Sequence, residues 1–264
     1  CKMNEGAHDD RVRTMLFPYK FDACSEGLLR ETKRAALEHD LPVHIHAAQY
    51  IPEYYESLRR YGKTPIQFLH DIGFMGPKTI ITHAIYTSMN PVSPAPGIPL
   101  RDPRDIQLMA ESGATLGHTP MIWARAGIIL DSYAKYRDAG INIGIGTDAF
   151  PMDMIMEMRH AALMGKVADR HRAAVTAADV FDAATLGGAR ALEREDLGRL
   201  APGAKADIVV VNLRGMHTAI NDDPIRTLVY FASQRDIETV IVDGKTLVDD
   251  GRIPGLDEEA LSAE

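Results

Sequence analysis

Four short stretches carry side chains able to hold and use a metal ion. Val43-His44-Ile45-His46 alternates two histidines with apolar residues, which places both histidines on one face of a strand. His83 closes Ile80-Ile81-Thr82-His83, His118 closes Leu116-Gly117-His118, and Asp148 follows Gly144-Ile145-Gly146-Thr147. A lone histidine at a strand end is usually structural, bonded to a backbone carbonyl. Histidines ending three successive strands, with an aspartate ending a fourth, are hard to obtain from packing, which prefers apolar residues there. Neutral imidazoles and one carboxylate suit one divalent ion, zinc first, with iron or manganese as alternatives. Such an ion lowers the pKa of its water to about 7, and Asp148 is placed to touch the ion and take the proton. His46 is expected to be a ligand or a catalytic group. His44 stands between that role and a supporting one.

The elements that must position these residues repeat one rhythm, a β-rich run followed by a helical pattern. Strands are expected near Thr14–Tyr19, Pro42–Ala47, Thr79–His83, Ala114–His118 and Ile141–Thr147. Between them the periodicity predicts helices from about Ser25 to His39, from Thr64-Pro65 onward, from Arg104 to Ser112 and from Ile128 to Ala139. Two more helices follow, over about Asp153–Val167 and Thr176–Thr185. Alternation of this kind implies βαβ units and a mostly parallel sheet, with apolar strands covered on both faces. Prolines at 91, 94, 96, 99 and 103 forbid regular structure across 90–103. From Gly198 the character changes to a small β unit: Lys205–Asn212, then Thr239–Val242 and Thr246–Val248 joined by a tight Asp243-Gly244 turn. The tail after Pro254 reads as polar and partly helical.

With 264 residues, 45% of them hydrophobic and 25% charged, the chain suits a globular protein with more than one unit. Its 37 acidic and 29 basic residues give a net charge of −8, which argues against nucleic-acid and anionic-membrane partners. No apolar stretch approaches the roughly 18–20 residues needed to span a bilayer. Cys1 and Cys24 form neither a disulfide framework nor a CxxC site, so a reducing cytoplasmic setting is expected. Residue 1 is not methionine, and the rear part of a longer protein is the expectation. Gly144-Ile145-Gly146 reads as close backbone packing rather than a nucleotide loop. The methionines at 152, 154, 156 and 158 read as core filling, and Trp123 and Arg125 as loop residues after His118 able to shape a substrate pocket.

Three segments together resemble a known family. They are Val43-His44-Ile45-His46-Ala47-Ala48-Gln49, then Gly146-Thr147-Asp148-Ala149 running on to Glu157-Met158-Arg159, and Ala183-Ala184-Thr185-Leu186-Gly187-Gly188-Ala189-Arg190 with Leu197–Val210. They are similar to the amidohydrolase superfamily, in the branch of cytosine and guanine deaminases and triazine hydrolases, over about residues 15–252. The resemblance implies a metal-dependent (β/α)8 barrel with one divalent ion, flanked by a small β-sandwich. It makes His46 a metal ligand on barrel strand five and His83 the strand-six histidine that contacts water or substrate. Asp148 becomes the strand-eight ligand and proton acceptor. The α/β fold is then the C-terminal part of such a barrel, strands four to eight in residues 1–197, with part of the sandwich and a tail in 198–264.

Three departures shape the expectation. The family's opening His-x-His strand is absent, so the N-terminal half of the barrel is expected from the same gene or from another chain. Half a barrel would otherwise expose sheet edges and apolar surface. Gln49 stands where the family has a glutamate, and an amide cannot shuttle protons as a carboxylic acid does. The seventh-strand loop reads His118-Thr119-Pro120-Met121-Ile122-Trp123 without the usual Asn-Pro-x-Ser-Asn run. The expected activity is hydrolysis of a C–N or related C–X bond in a small neutral or heteroaromatic amide, urea, carbamate or triazine-like compound. Catalysis falls to Asp148, His83 and Gln49, with His118, Trp123, Gln49 and His44 on the substrate side. The alternatives are a purine, pterin or triazine aminohydrolase and a catalytically silent barrel subunit. A homo-oligomer is the expected assembly.

Overall fold

The structure, a computed structural model, describes residues 5–92, 97, 99, 101–219, 222–257 and 260–261. Cys1 and the prolines at 94 and 96 lie outside the described residues. After a single turn, α1 (Ala7–Asp10), residues 14–20 run extended beside β1 (Val43–Ala47). They do not form the regular strand expected there, but join β1 through two isolated parallel bridges, Leu16 with Val43 and Lys20 with His46. Tyr19, at φ 86°, twists the chain between those bridges and breaks the ladder.

Side-chain caps set most of the helix starts. Ser25 accepts the Leu28 N–H and opens α2 (Glu26–Glu38). α3 (Ile51–Tyr61) is an element the sequence reading lacks. Its Pro52 falls in the first turn, where a missing N–H costs nothing, and Gly62 ends it in the left-handed region. Thr64 caps α4 (Pro65–Asp71), which leads to β2 (Thr79–His83). α5 (Arg104–Ser112), β3 (Thr115–His118) and α6 (Pro120–Ala124) follow, so Trp123 sits in a helix and not in a loop. α7 (Tyr133–Asp138) begins five residues later than the periodicity predicts, because the Ser132 hydroxyl accepts the Lys135 N–H and fixes the first turn there. β4 is confined to Ile143–Ile145, and Asp153 caps α8 (Met154–Asp169). α9 (Ala177–Asp182) passes through a π turn at Ala183–Gly187 into α10 (Gly188–Ala191). That turn lies so close to β4 that a Cβ on Gly187 would run into the Ile143 carbonyl, and Gly144 faces the same backbone. The close approach demands glycine at 187, whereas a Cβ at Gly144 or Gly146 would make only ordinary contacts at 3.8 Å, so the expected close packing at that pair is not what the geometry requires.

The four strands form one parallel sheet in sequential order β1-β2-β3-β4. Its register sets His46 opposite Thr82, Thr82 opposite Gly117 and His118 opposite Ile145. Helices cover one face, where Val43, Ile45, Ile81, Leu116 and Ile143 are buried. The other face carries His44, His46, Ile80, Thr82, Gly144 and Gly146 and is only partly covered by the described residues, which corrects the expectation of strands covered on both sides.

The C-terminal sheet is antiparallel, with β5 (Ile208–Val211) beside β6 (Ile237–Val242) and β6 beside β7 (Lys245–Val248). Asp243 and Gly244 both adopt positive φ, 48° and 76°, the backbone a tight two-residue hairpin demands. Between β5 and β6 lies α11 (Pro224–Tyr230), also missing from the sequence reading, started by Asp223 accepting the Arg226 N–H. Among the described residues no helix is long and apolar enough to cross a membrane.

Candidate metal centre

The carboxyl ends of the parallel strands share a backbone peculiarity. Ala48 after β1, His83 and Ala84 at the end of β2, and Asp148 beyond β4 all have positive φ, at 53°, 81°, 43° and 59°. Non-glycine residues in that region carry strain, and strain of this kind concentrates where side chains must be aimed at a ligand. For His83 the twist has a visible effect. Simple alternation from Thr82 would send its side chain into the helical layer, yet its ring sits 5.0 Å from that of His46, centroid to centroid.

His44, His46 and Asp148 line one groove on the partly covered face, with Phe17 and Thr82 beside them. Phe17 stacks on His44 at 4.7 Å, and His44 Nε2 lies 2.6 Å from Thr82 Oγ1. His44 is thus held in place by its neighbours while lining the groove. His83 Nε2 lies 3.9 Å from Asp148 Oδ2, with the His83 side chain 1% exposed and that of Asp148 26% exposed. On its far side, His83 Nδ1 accepts the Trp123 indole N–H at 2.9 Å and lies 3.0 Å from Thr119 Oγ1. The helix bearing Trp123 is tied down in turn: the Met121 N–H donates to Glu157 of α8 at 3.0 Å.

His46 and Asp148 are donors of the kind a hard or borderline divalent ion takes, and they meet at one place. Two donors are not a closed site, since a catalytic zinc keeps three protein ligands. Among the described residues no group of three or more histidine, cysteine, aspartate or glutamate side chains is able to hold an ion. The donors fit a metal; they supply part of its ligand set.

The model of the amidohydrolase family matches residues 2–247. This chain belongs to the amidohydrolase family. The 5'-deoxyadenosine deaminase of Methanothermobacter thermautotrophicus is 36% identical over 258 residues, 96% of this chain and 57% of the relative. The 5-methylthioadenosine/S-adenosylhomocysteine deaminase of Thermococcus kodakarensis is 36% identical over 92% of this chain and 55% of its own length. Among solved structures, an adenosine deaminase from Xanthomonas campestris with bound zinc superposes with a TM-score of 0.88 at 27% identity, over 99% of this chain and 58% of that one. The atrazine chlorohydrolase of Arthrobacter aurescens with zinc does so at 0.81 and 26%, over 96% and 54%. The chain spans little more than half the length of these relatives.

Burial shapes the protonation of the candidate site in this member of the amidohydrolase family. Desolvation lowers His83 to about 3, and also lowers His46, against which the charge of Asp148 pulls upward. Desolvation, helped by His46, lowers His44 to about 4. Neutral imidazoles at pH 7 are what a metal site needs. Two buried glutamates hold the surrounding loops. Glu53 accepts the Ala48 and Gln49 N–H groups at 2.7 and 3.0 Å, and burial pushes it up to about 8. Glu157, under Met121, is pushed by burial up to about 7. A carboxylate four residues after the Gln49 turn, or one just inside the Asp153 cap, is the only sequence signal that points to them.

Other expected residues stand elsewhere. Gln49 is half-buried on the turn after β1 and is not part of the groove lined by His46 and Asp148. His118 points to the opposite face of the sheet from His44 and His46, into the helical layer, with its ring 5.8 Å from Tyr133. It shares a small cavity there with His83, Trp123, Leu130 and Met164. Of the methionines, Met158 is core, whereas Met152 and Met154 are exposed at 71% and 37%. Arg125 is exposed and donates to the Phe150 carbonyl.

The position of His118 gives a pH signature. Burial lowers its pKa from 6.5 to about 4. The unfolded chain takes a proton at 118 below pH 6.5 that the folded chain refuses until about 4. The stability it contributes is thus complete above 6.5 and lost as pH falls through that window, about 3 kcal/mol in all. His118→Leu, which suits the apolar cavity walls, is expected to remove that share of the acid sensitivity in denaturant titrations from pH 7 to 4. A variant with the parent's full slope would place the sensitivity elsewhere.

Proposed function

We propose that this chain is the metal-bearing rear part of a hydrolase that opens a C–N, or related C–X, bond in a small neutral or heteroaromatic molecule. The reading rests on one observation above all: His46, His83 and Asp148, from three separate strand ends, converge at one point beside the partly covered face. Residues 1–197 would supply strands four to eight of a (β/α)8 barrel, and 198–264 part of a flanking sandwich and a tail. The remaining strands, with a His-x-His pair completing the ligand set, would come from polypeptide beyond this chain, of the same gene or another. Sequential parallel strands with one partly covered face support that arrangement.

His46 and Asp148 would hold one divalent ion, zinc first, as bound in the adenosine deaminase and atrazine chlorohydrolase structures. The ion, when bound, makes water nucleophilic near neutral pH. Asp148 accepts the proton released as water adds to the electrophilic carbon and passes it to the leaving group. His83 donates a hydrogen bond to the negative charge that develops on the attacked centre. Gln49, on the turn after β1 and outside the groove lining, would orient the substrate by its amide, and Trp123 stands behind His83.

A purine or related aminohydrolase is the second reading, favoured by the deaminase names of the relatives at 36% identity. A catalytically silent subunit is the third, motivated by Gln49. Dialysis of the complete protein against a chelator is expected to abolish turnover, with recovery on adding zinc, iron or manganese. Turnover unchanged in chelator would overturn the metal-dependent reading, and a fully folded assembly without metal would support the silent subunit.

A further inference from the structure

His83 can stabilise developing negative charge beside Asp148 only if the nitrogen nearer Asp148 carries a hydrogen. A neutral imidazole has one N–H, on either Nδ1 or Nε2, and the hydrogen bond made by one nitrogen decides the state of the other. In solution the two forms lie close in energy, so a protein that needs one of them must select it.

The structure assigns that selection to Trp123, as a positioning residue for the proposed hydrolysis. The indole Nε1 is a donor and never an acceptor. It lies 2.9 Å from His83 Nδ1 with its N–H directed at that atom, so Nδ1 must offer its lone pair. A hydrogen on Nδ1 would point at the indole hydrogen and be repelled. The single N–H of His83 is thereby placed on Nε2, the atom 3.9 Å from Oδ2 of Asp148, whose side chain lines the groove. Thr119 Oγ1, 3.0 Å from the same Nδ1, does not alter this, because a hydroxyl rotates and either donates to the shared lone pair or turns away.

The selecting contact is built, not incidental. Trp123 is the chain's single tryptophan, and α6 presents it across 40 residues of sequence to His83. α6 is itself fixed by the Met121 N–H on the buried carboxyl of Glu157. The His83 side chain is 1% exposed, so no bulk water competes for Nδ1. The order Glu157, Met121, Trp123, His83 thus carries orientation from a helix in the outer layer to one hydrogen at the reacting face.

The tautomer follows from geometry alone, whereas its consequence for turnover rests on the proposed hydrolysis. The test uses the complete zinc-loaded protein labelled with 15N-histidine. Long-range 1H–15N spectra are expected to show His83 as the Nε2–H form. Trp123→Phe, which keeps an aromatic ring and removes the donor, is expected to give a mixture or the Nδ1–H form. Thr119→Val is expected to leave the Nε2–H form in place. With turnover measured, Trp123→Phe lowers kcat by roughly 10–100-fold with KM little changed, as loss of a partner behind a reacting imidazole does. An Nδ1–H form in the parent protein overturns the inference, as does an unchanged tautomer in Trp123→Phe or a switch in Thr119→Val. A parent protein with no metal and no turnover would sink the hydrolase and leave the spectra to be read on their own.

Discussion

Asp148→Asn in the complete protein is expected to cut kcat by about 10²–10⁴-fold and to lower bound metal, with the fold intact. Asparagine has nearly the same shape as aspartate and, like it, tolerates the left-handed backbone found here at φ 59°. Its amide neither presents two anionic oxygens to a cation nor accepts a proton at neutral pH. The side chain is 26% exposed, and His83, 3.9 Å away, is an uncharged imidazole at pH 7, so no buried ion pair is broken by the exchange. Stability should therefore move little, which separates this variant from a folding defect. Metal content by elemental analysis and steady-state kinetics decide it together. Parent-like turnover with full metal occupancy would remove Asp148 from the chemistry.

What made this site readable in sequence was period and position. Histidines two apart on an apolar run must share a strand face, and in β1 they do, with Val43, Ile45 and Ala47 buried behind them. Asp243-Gly244 announced its hairpin because few other pairs accept two successive positive φ values. His118 misled for the converse reason. Its strand is four residues long, and the face of its last residue depends on a register no local pattern reveals. His83 would have misled in the same way, had φ 81° not turned it back toward His46. Alternation alone says nothing of such a twist, which surrounding structure imposes. Pro52 and Pro224 stand in first turns as Pro65 does, so α3 and α11 carried the same opening signal as the helix that Pro65 begins. The Trp123–His83 contact joins residues 40 apart and lies beyond any spacing rule.

Gln49→Glu is expected to raise ammonia release from amino-substituted purines, pterins or triazines by about 10²–10⁴-fold, the range of a positioned acid–base group. Glu53 accepts the N–H groups of both Ala48 and Gln49, so the turn is held by a buried carboxyl independent of the side chain at 49. A glutamate there would stand where the glutamine does, differing only in its ability to give and take a proton. Aromatic ring deamination expels a poor leaving group and loses resonance, so protonating a ring nitrogen as water adds lowers its barrier most. A substrate with a leaving group stable as an anion needs that proton less, and its hydrolysis should change far less on the same exchange. The ratio of the two rates, rather than either alone, is the decisive measurement. It is insensitive to small losses of folded or metal-loaded protein, which lower both equally. A large rise in the ratio identifies Gln49 as the residue that turned this chain from deamination toward other bond hydrolysis. Rapid ammonia release by the parent with no rise in the variant would mean that the proton reaches the ring from another group, and the glutamine would then be a binding residue alone.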